Sequence, residues 1–154
     1  MEKLFRYNWI VRDEWFDLCS ELPHEELVRE RIGGTGSILK TLFHIADVEW
    51  SWIRVLQGEP VFDPDFNDYM ELARVKKFSD ACRLEVERFV VKWTDDLEKK
   101  ILITPWDKSE SFTYGEVMRH VIAHEIHHIG QLSIWSRELG RKPVSANFIG
   151  KGLV

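Results

Sequence analysis

Four long segments of this chain carry apolar residues at helical spacing, and the breaks between them are rich in Gly and Pro. The first runs from about Lys3 to Glu21, with Leu4, Val11, Trp15 and Leu18 on one stripe, and Pro23 follows its end. A Gly-rich connector, "RERIGGTGS", leads to Ser37, which stands where an N-cap would, ahead of a helix over Ile38 to Leu56. Gly58 and Pro60 stop that helix. The segment "EPVFDPDFNDY" reads as an ordered loop over a cavity mouth. A third helix is predicted from near Ser79 to about Lys100, with Ala81, Leu84, Val86, Phe89, Val90 and Trp93 apolar. After "TPWDKSES", Thr113 and Glu116 have capping-box spacing. They open a last helix that continues to about Leu139, before Gly140. No segment reads as a strand, no repeat is present, and no linker divides the chain. The expectation is an all-α four-helix bundle, a single domain over residues 1–154.

Composition narrows the function classes. The net charge is −5 and no face is dense in Lys or Arg, so the main electrostatic contribution to nucleic-acid binding is missing. No apolar run approaches the roughly 20 residues of a membrane span, and charges interrupt the first 18 residues where a signal peptide would need an apolar centre. Cys19 and Cys82 have no metal or redox spacing and read as buried free thiols. A cytoplasmic protein is expected. Seven Trp and nine Phe are many rings for a chain this size to bury alone, which favours a homodimer.

The chemistry concentrates in "RHVIAHEIHHIGQL", residues 119–132. His124-Glu125-Ile126-His127-His128 matches H-E-x-x-H, which on a helix places two zinc ligands and a general base. His124 and His128 stand about 40° apart around the helix axis and about 6 Å along it, so both can face one ion. Val117, Val121, Gln131 and Trp135 share their stripe, which places them inward. His120, one turn back, is an alternative partner for His124. His127 is offset from that stripe and reads as partly exposed, and His24 beside Pro23 reads as a surface loop residue.

A peptidase needs a third ligand as well. The extended zinc-protease pattern requires Gly at 131 and His at 134, where this chain has Gln131 and Ile134. Glu138 lies ten residues beyond His128, about 15 Å along the same helix and out of reach. The best upstream ligand is His44, in "SILKTLFHIADVEW". It shares a face with Thr41, Val48 and Ser51, which suits either the wall of a partly wet pocket or an ordinary exposed histidine. Three histidines from two packed helices would make a site with open positions, the pattern of a catalytic metal. Glu125, about 100° from His124, would orient a neighbour or face solvent.

These residues resemble a known family. "FTYGEVMRHVIAHEIHHIGQL" is similar to the last-helix signature of the DinB/YfiT-like proteins, and "SILKTLFHIADVEW" to their second-helix histidine segment. "YNWIVRDEWF" and "LGRKPVSANFIG" resemble their first helix and closing segment. The resemblance implies an up-down-down-up bundle with a divalent metal, zinc or nickel, on His44, His124 and His128, and it implies a dimer. Relatives of this kind include S-transferases that use bacillithiol or mycothiol and a mycothiol-dependent isomerase. The leading expectation is therefore a metal-dependent enzyme transferring a low-molecular-weight thiol to or from a small-molecule substrate. A metal-dependent hydrolase and a non-catalytic metal- or ligand-binding bundle are the alternatives. A thiol subsite would be lined by Arg119, Trp106 or the 59–69 loop.

Overall fold

The computed structural model describes residues 1–153. The chain is mostly helical, with α1 over Glu2–Ser20, a single-turn α2 over His24–Val28, α3 over Ile38–Gln57, α4 over Leu72–Val90 and α5 over Tyr114–Glu138. A short antiparallel hairpin pairs β1, Ile101–Ile103, with β2, Ser111–Thr113. Each of α1 and α3 packs against both α4 and α5.

Local chemistry sets the ends of the helices that matter for the site. Ser37 Oγ accepts a hydrogen bond from Lys40 N at 3.2 Å and so caps α3. Gly58, at φ 72°, lets the chain leave α3 in the left-handed region that a Cβ disfavours. At the start of α5, Thr113 Oγ1 accepts from Glu116 N at 3.1 Å, and Thr113 N donates back to Glu116 Oε2 at 2.7 Å. That is the capping box read from the sequence.

Three expectations need correction. The third helix spans Leu72–Val90 rather than Ser79 to Lys100. Its buried face is Val75, Ser79, Cys82, Val86 and Val90, a stripe of mostly small side chains that Lys76 and Lys77 disguise. Leu84, counted among its apolar positions, is 59% exposed. The chain also contains strands. Only Leu102 of "ILI" is buried, and three residues are too few for alternation to register as a pattern. His24 is exposed as expected, but it opens α2 instead of lying in a loop.

The interior has two apolar clusters. One contains Trp15, Phe16, Leu39, Leu42, Ile129 and Leu132. The other contains Phe5, Trp9, Ile53, Val86, Met118 and Val121. On α3, α4 and α5 a buried polar residue falls between the two clusters in sequence, Glu49, Ser79 and Glu125, and buried Arg12 of α1 reaches all three, forming a polar layer. The Arg12 guanidinium donates to Glu125 through Nε at 2.8 Å and Nη2 at 2.5 Å. Its Nη1 reaches Glu49 Oε1 at 3.0 Å and Ser79 Oγ at 3.4 Å. Trp9 Nε1 donates to the other oxygen of Glu49 at 3.0 Å. Each buried charge thus has partners on other helices, which offsets much of its cost of desolvation.

Candidate metal centre

α3 and α5 lie side by side, and the three histidines meet across their contact. The His44 and His124 Nε2 atoms are 3.1 Å apart, and so are those of His124 and His128. One ring nitrogen from each of the three fits within 4.8 Å of the others. His44 and His124 are half-buried and His128 is buried.

The donor set fits a tetrahedral dication. Two nitrogens bonded to one zinc at about 2.0–2.1 Å would stand about 3.3–3.4 Å apart, close to the separations found. Hydrogen bonding alone does not satisfy the cluster. His128 Nδ1 donates to Gln131 Oε1 at 2.7 Å, which leaves His128 Nε2 as a bare lone pair. If His124 Nε2–H donates to it, His124 has no lone pair for His44. A neutral imidazole carries one proton on its ring nitrogens, so one of the two contacts stays unsatisfied in the neutral cluster, a deficit that a dication at the centre would remove.

Electrostatics favours the same state. Burial lowers the pKa of His124 to about 3, reinforced by His128, His44, His120 and His127. Burial also lowers His44, with help from His128 and Lys40. It lowers His128 too, against the pull of the Gln131 hydrogen bond. The three rings are therefore neutral at physiological pH, the form that binds metal.

The other sequence candidates fall around this cluster. His120 is exposed, with its ring 5.8 Å from that of His124. His127 is exposed and accepts from Gln131 Nε2 at 3.1 Å, so one amide links it to His128. Val117, Val121 and Trp135 are buried as expected. Glu125 does not face solvent: it is 1% exposed and holds Arg12. Burial raises its pKa while Arg12 pulls the other way. Burial likewise works against the Arg12 charge, but Glu125 and Glu49 outweigh it and hold the guanidinium protonated. Arg12 and Glu49 escaped the sequence reading. The available signal was a carboxylate at Glu49 set between Ile45 and Ile53 at four-residue steps, in the middle of an apolar stripe.

Beside His120 lies a cavity of about 220 Å³, lined by Trp52, Phe112, Glu116, Val117 and His120. Trp106, expected near a subsite, packs edge-on against Trp52 at 5.2 Å between ring centroids. Arg119 is exposed and pairs with Glu98. The 59–69 loop lays Phe62 on Trp50 and Phe66 against Phe43 and contributes no side chain to this cavity.

The chain is thus a mostly helical protein with three histidines gathered between its second and last long helices. The DinB family model matches residues 1–152, and the chain belongs to the DinB family. It is 48% identical over 153 residues to the protein YizA of Bacillus subtilis (strain 168), covering 99% of this chain and 96% of that protein. It is 25% identical over 146 residues to Protein DinB of the same organism, covering 90% and 85% of the two chains. The crystal structure of a DinB-like protein from Bacillus cereus ATCC 10987 superposes with a TM-score of 0.64 at 21% identity, over 92% of this chain and 91% of that one. That likeness shows the shared fold.

Proposed function

We propose that this protein binds a divalent metal, zinc or nickel, through His44, His124 and His128, and that it uses the metal to act on a small molecule with a low-molecular-weight thiol, as an S-transferase. The observation that carries the reading is the convergence of three neutral imidazole nitrogens on one point, with positions left for other ligands. When bound there, a dication lowers the pKa of a coordinated thiol or water and supplies a nucleophile at neutral pH. The chain's own residues prepare the centre. Gln131 fixes the tautomer and orientation of His128. Burial keeps all three rings unprotonated. Glu125 is committed to Arg12 and is not available as the base of a peptidase.

The sense of the helix contacts supports an up-down-down-up bundle as the frame. His44 meets His124 and His128 while Trp52 meets His120, so α3 and α5 run in opposite senses. Phe43 meets Phe78 and Arg54 meets Glu85, so α3 and α4 run in the same sense. Asn8 meets Ile122 and Arg12 meets Glu125, which sets α1 parallel to α5. Among the described residues no helix is long and apolar enough to cross a membrane. The reading extends to a homodimer acting in the cytoplasm, without nucleic-acid partners.

The test is a panel of thiol donors with electrophilic acceptors, run with wild type and His124→Ala, each with and without added zinc or nickel. A transfer rate that needs both His124 and the metal supports the S-transferase. Hydrolysis of the acceptor without thiol consumption points to a hydrolase, and equal rates in every arm point to a binding protein without turnover.

A further inference from the structure

The groove between α3 and α5 does not end at the three histidines. Two turns along α3 from His44, Trp52 meets His120 with ring centroids 5.8 Å apart, and His120 stands one turn from His124. The cavity opens at that point, so it continues the row formed by His128, His124 and His120. Its walls are chiefly rings and methyl groups: Trp52, Phe112 and Val117, with Trp106 behind Trp52. The one carboxylate at its rim, Glu116, is held by Thr113 N and Oγ1 at the start of α5. An apolar cavity of about 150 Å³ already accepts benzene, and this one measures about 220 Å³.

We propose that this cavity binds the apolar tail, an aryl or short branched alkyl group, of a substrate whose thiol head lies at the three-histidine centre. The proposal rests on the reading of that centre as a metal site. Four residues of helix, about 6 Å along its axis, separate the ligand His124 from His120 at the cavity edge. The substrate class is thus an aryl- or alkyl-bearing thiol, or the thioether made from it, with a spacer of a few atoms between sulfur and tail. His120 lies beside that spacer. The lining rings of Trp52, Phe112 and His120 favour a planar apolar group, because offset and edge contacts between rings add to the burial of area.

The probes are ω-phenylalkanethiols with two, four and six methylenes and the matching alkanethiols without the ring. Their dissociation constants are measured calorimetrically on the zinc-loaded protein. One spacer length is expected to bind about tenfold tighter with the phenyl group than without it. Trp52→Ala and Phe112→Ala are each expected to abolish that preference while leaving zinc affinity unchanged. Intermolecular NOEs from the phenyl protons to the Val117 methyls of wild type need no variant, so they decide the matter if either substitution prevents folding. Zinc binding with no phenyl preference, or with no NOE at Val117, overturns the cavity assignment. Should zinc fail to bind at all, the reading of the centre fails instead. The same NOEs on the metal-free protein then stand alone: their presence upholds the apolar cavity and their absence overturns it.

Discussion

Replacing Glu125 with Ala leaves the Arg12 charge with a single carboxylate partner in a layer closed to water. Breaking a buried pair of this kind costs about 3–5 kcal/mol. Glu125→Ala should therefore lower the melting temperature by on the order of 10 °C. Its side chain turns toward α1, so the folded variant should still bind zinc as wild type does. A loss of zinc affinity without a loss of stability would contradict this placement. Like Cys82, whose thiol burial also pushes up to about 12, Cys19 makes the stability pH-dependent. Burial pushes its thiol up to about 12, whereas an unfolded thiol titrates near about 8.5. Below the unfolded value both states hold the proton and the stabilising effect of burial is complete. As pH rises from there toward the folded value, the unfolded chain ionises first, and stability is lost. By about pH 10 the loss is about 1–2 kcal/mol. The urea midpoint of wild type should fall more between about pH 8 and pH 10 than that of Cys19→Ala, and equal falls would show that Cys19 is not the source.

At the level of elements, α5 carries two of the three histidines, so its first turn bears on the centre. Thr113→Ala removes the hydroxyl half of the capping box and the hydroxyl's own bond to Glu116, and leaves the backbone half from Thr113 N. It should cost about 1 kcal/mol, read as a fall in melting temperature of about 2–4 °C. The helices that carry strong local signals were legible in the sequence. Ser37 and Gly58 bound α3, and Thr113 and Gly140 bound α5, because caps and turns are decided by neighbouring residues. α4 was misplaced because its buried face is made partly of Ser79 and Cys82, whose burial depends on what other helices bring to them. The hairpin was missed because its pairing, Leu102 opposite Phe112, is a contact between segments that single-chain periodicity does not record. In the site, His124 and His128 could be paired by their spacing on one helix. The place of His44 could not be settled by its own segment, since convergence across 80 residues is a property of packing. Arg12, Glu49 and Glu125 share that limit, since each is explained only by the other two.

For the molecule as a whole, none of the three histidines belongs to the apolar clusters or to the Arg12 polar layer. His44→Ala should therefore keep the helical circular dichroism of wild type. A ligand that binds only the folded state adds about 2.7 kcal/mol at one hundred times its dissociation constant. Zinc or nickel at that excess should raise the melting temperature of wild type by about 5–10 °C and leave His44→Ala unmoved. Loss of helicity in the metal-free variant would instead make the cation part of the fold. The edge contact of Trp52 on His120 also gives the molecule an optical reporter. Trp9 is tied to the polar layer and Trp15 is buried in the apolar cluster toward the other end of α1, whereas Trp52 lies one histidine away from the centre. A paramagnetic ion such as nickel should quench the emission of Trp52 more strongly than diamagnetic zinc does. That difference should vanish in Trp52→Phe, so occupancy of the centre can be followed by light in a chain that carries its own dye.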